Sequence, residues 1–210
     1  MNTDICPTIL AEEPDSFRMQ MKRVLPFAKR LHIDVMDGVF AAPRSLALDQ
    51  IYWPANIPVD LHVMYQKPMV HAGAFVSLAP RMVILHAEAD GNFAPFAEYM
   101  HRHGIEVGVA LLPQTPVATI APVIDMIDHV LIFSGHLGHF GGSADTRLLV
   151  KVRQLRELRP SLEIGWDGGV TATNAAELAA GGVDVLNVGG FIQHAVDPAQ
   201  AYAALGTLVR

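Results

Sequence analysis

Residues 31–64 read LHIDVMDGVFAAPRSLALDQIYWPANIPVDLHVM, and the apolar runs at the two ends of that stretch decide the fold. Leu31–Met36 and Val59–Met64 are short, apolar and read as strands. Between them Leu46–Trp53 is a weaker, shorter helix pattern, stopped at Pro54. Working outward, similar strand runs recur at Ile5–Leu10, Met82–His86, Glu106–Leu111, His129–Phe133, Leu162–Trp166 and Val185–Val188. Helix patterns separate them, near Asp15–Leu25, Met69–Ser77, Phe93–His103, Val117–Ile124, Thr146–Leu158, Asn174–Ala180 and Pro198–Val209. Gly104, Gly181-Gly182 and Pro26 read as helix stops, and Thr173-Asn174 and Asp197-Pro198 as helix starts. Strands alternating with helices imply βαβ units and a parallel sheet. An open doubly wound sheet competes, but the even spacing of about 25 residues per unit favours closure. The expected architecture is α/β, a (β/α)8 TIM barrel made by one domain over residues 1–210.

The bulk numbers fit that expectation. A chain of 210 residues lies near the lower limit of the barrel, roughly 200. Hydrophobic residues make up 51% of it, enough for a sizeable core. Charged residues make up 17%, below the roughly 25% of an ordinary soluble domain, which suggests surface hidden in a homo-oligomer. The net charge of -6 argues against non-specific binding to nucleic acid, which needs a basic face. The closest basic cluster, Lys151 to Arg159, reads as the solvated face of a helix. The one cysteine, Cys6, sits in an apolar run and is expected in the core, with no intramolecular disulfide. No signal-peptide pattern opens the sequence, and no run reaches the roughly 18 apolar residues of a membrane span. A cytoplasmic protein is the simplest expectation.

Residues two apart on a strand share a face. His32, Asp34 and Met36 therefore point one way, and Asp60, His62 and Met64 do the same on the next strand. Asp167 ends the seventh strand. The carboxyl ends of barrel strands form the active-site face, so two imidazoles and two carboxylates converge at one mouth. A single histidine there is as a rule a structural one. The set His32, Asp34, His62 and Asp167 suits one divalent metal ion, with Zn, Fe(II), Mn and Co all open. Glycines mark the other side of the mouth: Gly138, Gly141 and Gly142 after strand six, Gly168 and Gly169 after strand seven, Gly189 and Gly190 after strand eight. They read either as tight turns or as a phosphate cradle, since loops after strands seven and eight are the usual phosphate site of this fold.

The motifs, taken in order, resemble the ribulose-phosphate 3-epimerase family over almost the whole chain. They are Ile5-Cys6-Pro7-Thr8-Ile9-Leu10, His32-Ile33-Asp34-Val35-Met36-Asp37-Gly38 and Asp60-Leu61-His62-Val63-Met64. They continue with His86-Ala87-Glu88, Pro113-Gln114-Thr115-Pro116, Phe140-Gly141-Gly142 and Asp167-Gly168-Gly169-Val170. The resemblance implies metal-assisted epimerisation of a ketose phosphate. In that scheme the metal sits on His32, Asp34, His62 and Asp167. Asp34 takes the C3 proton from one face and Asp167 returns one to the other. Thr8, Met36, Met64, Gly141, Gly142, Gly168, Gly169, Gly189 and Gly190 are the implied substrate contacts. Met36 and Met64 are equally compatible with plain barrel packing.

Departures from the family pattern cluster on the substrate side. Thr8 stands where a serine is usual, and Ala41-Ala42-Pro43 replaces a Val-Pro-Asn stretch. The loop Phe133-Ser134-Gly135-His136-Leu137-Gly138-His139-Phe140-Gly141-Gly142 has lost a methionine and a proline and gained His136 and His139. Those two histidines either meet an altered substrate, supply an acid or are plain exposed loop residues. Gly189-Gly190 replaces Gly-Ser. Two other readings stand beside the epimerase. A lyase working through an enediolate would usually carry Asp-x-Lys-x-x-Asp at the second or third strand's end, and this sequence has none. A non-catalytic barrel would have kept the metal side while its substrate loop drifted. Fold alone separates none of these.

Overall fold

The computed structural model describes residues 3–210. Its chain runs β1 (Asp4–Leu10), α1 (Pro14–Val24), β2 (Leu31–Met36), β3 (Val59–Met64), α2 (Ala72–Leu78), β4 (Met82–His86), α3 (Phe93–Arg102), β5 (Glu106–Leu111) and β6 (His129–Phe133). It continues α4 (Leu149–Leu158), β7 (Glu163–Asp167), α5 (Ala175–Ala180), β8 (Val185–Val188), α6 (Gly190–Gln193) and α7 (Pro198–Leu208). The eight strands pair in sequence order, all parallel, and β8 closes on β1, with Cys6 opposite Asn187. The closed barrel, not the open sheet, is therefore the fold.

Strand alternation divides the side chains between two compartments. Ile33, Val35, Leu61, Val63, Val83 and Leu85 face outward into the layer between barrel and helices, where Phe17, Met21, Phe75, Met100, Val152 and Leu155 meet them. Full burial of one such side chain is worth about 1.5–3 kcal/mol. The inward set on β2 and β3 is polar instead: His32 is opposite Asp60, and Asp34 opposite His62. Met82, Ile84, Ala110 and Leu131 pack the barrel's middle as a small apolar group. Cys6 is buried there as expected.

The amino-terminal end of the barrel is closed by charges. Arg30 Nε donates to Asp60 at 2.6 Å, and its two terminal nitrogens form a fork on Glu163 at 2.9 and 2.8 Å. Arg81 bridges Asp60 and Glu106, both at 2.9 Å. His129 Nδ1 lies 2.7 Å from Glu163.

Several expectations shift. Strand ends differ by one residue: β1 begins at Asp4, and β7 covers Glu163–Asp167 instead of Leu162–Trp166. Helix α7 keeps the expected Pro198 at its first position, with Asp197 capping it through Gln200 N at 3.0 Å, while α1 begins one residue earlier than expected, on Pro14. The helix expected at Val117–Ile124 is a 3-10 segment, Val117–Met126, because Pro122 inside it has no N–H to donate. The Leu46–Trp53 helix shrinks to a 3-10 turn at Leu48–Gln50, although Leu46, Leu48 and Ile51 are still buried. The short α6 was not anticipated. Lys151 leaves the expected solvated face: it is buried, and its amine donates to the carbonyls of Leu112 and Thr115 at 2.6 and 2.8 Å. Among the described residues no helix is long and apolar enough to cross a membrane.

Candidate active site and metal centre

His32, Asp34, His62 and Asp167 meet inside the mouth of the barrel, all buried, with one donor atom from each within 4.8 Å of the others. β2 supplies two of them by its two-residue repeat, β3 supplies His62 through the Asp34–His62 register, and β7 ends on Asp167. His62 Nδ1 is 2.7 Å from Asp34 Oδ1 and 3.7 Å from Asp167 Oδ2. His32 Nε2 is 3.2 Å from Asp34 Oδ1 and 3.9 Å from Asp167 Oδ2. Both ring nitrogens of His32 are buried without a hydrogen-bond partner among the described residues. Leaving such a group unmet costs about 1–3 kcal/mol, so an unmet His32 Nε2 facing two carboxylates and a second imidazole fits a divalent cation. Nitrogen and oxygen donors together suit a transition metal, without selecting one.

The two carboxylates differ in environment. Burial, then the charge of Asp34, pushes Asp167 up to about 6 against the pull of the two imidazoles. Burial also opposes ionisation of Asp34, but His32 and His62 outweigh it and hold that carboxyl below the ordinary range. Burial is the larger influence at His32 too, yet its two aspartate neighbours raise it on balance.

A second layer lies behind His62. Its Nε2 is 2.9 Å from His86 Nε2, and His86 Nδ1 is 3.3 Å from Glu88 Oε2. Glu88 Oε1 accepts the Leu112 N–H at 3.1 Å and the Thr115 hydroxyl. Burial pushes His86 down to about 4. Glu88 is half-buried, which alone would raise it, but His86, Thr115 and Leu112 N hold it low. Sequence alone gives His86 and Glu88 no role beyond their place in the His86-Ala87-Glu88 motif. Their i, i+2 spacing at a strand's carboxyl end was the available signal.

Around this centre stand the expected substrate contacts. Met36, Met64 and Thr8 are buried, and the Thr8 hydroxyl has no partner among the described residues. The Phe133 ring closes in from β6, 6.0 Å from the His62 and His86 rings. The loop after β6 folds across the mouth. Gly138 there has φ +80°, and a Cβ on it would lie 2.3 Å from the Ala42 carbonyl oxygen and 2.9 Å from Met36 Sδ. Phe140 covers Gly189, and Gly168 and Gly169 lie against Gly135 and Ser143-Ala144. Those three glycines thus serve close packing whatever else they do. Gly141 and Gly142 face open space, and Gly190 begins α6 beside the Gly141 N–H. His136 and His139 are exposed on the rim of the space the loop encloses. That space is about 30 Å³, bounded by Thr8, Asp34, Met64, Phe133 and Asp167.

A model of the ribulose-phosphate 3-epimerase family matches residues 4–193. The chain belongs to that family. It is 31% identical over 209 residues to ribulose-phosphate 3-epimerase of Mycobacterium leprae, covering 96% of this chain and 92% of that one. It is 28% identical over 208 residues to the enzyme of the same name from Schizosaccharomyces pombe, covering 96% and 91%. These relatives of the family are epimerases, enzymes of the isomerase class. Among solved structures, 3-hexulose-6-phosphate synthase from Salmonella typhimurium superposes with a TM-score of 0.77 over 99% of this chain and 98% of that one. At 14% identity that likeness shows the barrel alone.

Proposed function

We propose that this member of the family inverts C3 of a ketose phosphate, interconverting D-ribulose 5-phosphate and D-xylulose 5-phosphate or a close relative. The observation that carries the reading is the buried convergence of His32, Asp34, His62 and Asp167 at the carboxyl end of the barrel. These four would hold one divalent ion, Zn, Fe, Mn or Co. Such an ion supplies the Lewis acidity that polarises the C2 carbonyl and makes the C3 proton removable.

The chain's own residues do the rest. Asp34, kept ionised, takes the C3 proton from one face of the sugar. Asp167, on the other side of the reacting carbon, delivers one to the opposite face and so inverts the centre. Met36, Met64 and Phe133 wall the reacting carbons from water. The unmet Thr8 hydroxyl offers a hydrogen bond to a sugar oxygen. Backbone N–H groups of the loops carrying Gly141, Gly142, Gly168, Gly169, Gly189 and Gly190 hold the phosphate. His136 and His139 line the entrance. A space of about 30 Å³ is far below the roughly 300–1,000 Å³ of small-ligand pockets, so a sugar phosphate enters when the loop after β6 lifts. Low charge content and exposed Val39, Tyr52 and Val70 support a homo-oligomer, which we place in the cytoplasm.

The test is turnover of D-ribulose 5-phosphate by metal-loaded and by chelated protein. Turnover that chelation abolishes and metal restores is the expected result. Folded, metal-loaded protein with no turnover on ribulose 5-phosphate or related ketose phosphates would overturn the reading. No observation favours the lyase: the Asp-x-Lys-x-x-Asp run that such chemistry would carry at the second or third strand's end is absent.

A further inference from the structure

We propose that His86 and Glu88 are positioning residues, which lock His62 in the tautomer and orientation a cation needs. This rests on the metal centre proposed above. His62 turns Nδ1 toward Asp34 and Asp167, so only Nε2 remains to orient the ring. That nitrogen lies 2.9 Å from His86 Nε2, with both imidazoles buried. Two ring nitrogens at that distance share a single proton. A free lone pair on His62 Nδ1 places the proton on its Nε2, and His86 Nε2 must then accept. The His86 proton accordingly sits on Nδ1, facing Glu88 Oε2 at 3.3 Å. An ionised carboxylate only accepts, so Glu88 fixes the direction of the whole chain.

Glu88 is itself anchored from the helix layer. Its other oxygen receives the Leu112 N–H and the Thr115 hydroxyl. The carbonyls of those same two residues are held by the buried Lys151 amine of α4. A continuous polar line therefore runs from the outer helix to the barrel axis and ends on one donor of the cluster. Removing a carboxylate or imidazole that orients a ligating histidine typically weakens metal binding 10–100-fold.

The competing account is simple packing, since the His86 ring lies 4.7 Å from that of Phe40 and 6.0 Å from that of Phe133. His86→Phe keeps an aromatic ring in that stack while removing the acceptor, and Glu88→Gln keeps the side chain's shape while removing the charge and turning an NH2 donor toward His86 Nδ1. The full chain, stripped by a chelator, is titrated with Zn²⁺ against a competing chelator and with Co²⁺ followed by its visible spectrum. Melting of the metal-free proteins is measured in parallel. Both variants are expected to bind Zn²⁺ about 10–100-fold more weakly, with an altered Co²⁺ spectrum and, for Glu88→Gln, little change in metal-free melting. Glu88→Gln carries the test if His86→Phe fails to fold. Wild-type protein that binds Zn²⁺ while the variants match it within twofold overturns the relay alone. Wild-type protein that binds neither ion overturns the metal centre and the relay together.

Discussion

Replacing Glu163 by glutamine tests whether the charged plug at the amino-terminal end of the barrel supports the fold independently of the chemistry at the other end. Glu163 accepts a two-pronged bond from Arg30 and lies 2.7 Å from His129 Nδ1. The Arg30 side chain is 11% exposed and that of Glu163 is 28%. This pair is therefore neither a surface ion pair, worth about 0–1 kcal/mol, nor a fully buried one, whose disruption costs about 3–5 kcal/mol. Asp60 still neutralises Arg30 in the variant. A loss of about 2–3 kcal/mol follows, or roughly 5–10 °C in melting temperature for a chain of this size. Burial opposes the Glu163 charge, but His129 and Arg30 outweigh it and hold the carboxyl below the ordinary glutamate range. A group depressed in the folded state contributes its full stability above its unfolded pKa of about 4.3 and loses it as pH falls toward the folded value. Urea unfolding of both proteins at pH 7 should show the full difference, and in acid the difference should shrink. Metal affinity should be unchanged, because Glu163 and Asp167 stand at opposite ends of the five-residue β7, about 13 Å apart. A difference under about 0.5 kcal/mol at pH 7, or one that does not narrow in acid, would refute the reasoning.

Two further perturbations act on the mouth. Gly138→Ala puts a methyl group against the Ala42 backbone oxygen at a positive φ, which costs about 1–2 kcal/mol before the overlap is relieved. Steady-state kinetics should show kcat/KM falling about tenfold or more, and unchanged kinetics would mean that the loop need not seat there for turnover. Asp37→Ala frees the N–H groups of Val39, Phe40 and Gln66, which its carboxylate holds at 2.8, 2.8 and 2.7 Å. It should cost about 1.5–3 kcal/mol in urea unfolding at pH 7. Burial opposes this carboxylate too, but the backbone donors win and lower its pKa. The wild-type advantage should therefore fade as pH drops below about 4, and an advantage that persists in acid would contradict the assignment.

Much of the site was legible because strand periodicity is local. His32 and Asp34 needed only the rule that residues two apart share a face. His62 and Asp167 needed only the ends of their strands, which fall within one residue of expectation. What stayed hidden depends on groups distant in sequence. His86 finds His62 across 24 residues only because neighbouring strands bring their carboxyl ends together. Lys151 reads as one more charge on an amphipathic helix, and only the turn at Leu112–Thr115 draws it inward. The Val117–Met126 segment has helical periodicity, but the missing donor at Pro122 prevails over the pattern. Glycines after β6, β7 and β8 are visible as a group, yet their sequence does not separate a phosphate cradle from close packing. The structure shows packing at Gly168, Gly169 and Gly189, and open space at Gly141 and Gly142.

The most direct test of two-carboxylate inversion is the fate of the C3 proton. Metal-loaded protein is incubated with D-ribulose 5-phosphate in D₂O, and the C3 position is followed by NMR. Product of inverted C3 configuration carrying solvent deuterium at C3 is predicted, with Asp34→Asn and Asp167→Asn each slowing inversion at least about 100-fold. Inversion that retains the original C3 proton in the product, or that survives both substitutions, would contradict proton removal and return by Asp34 and Asp167.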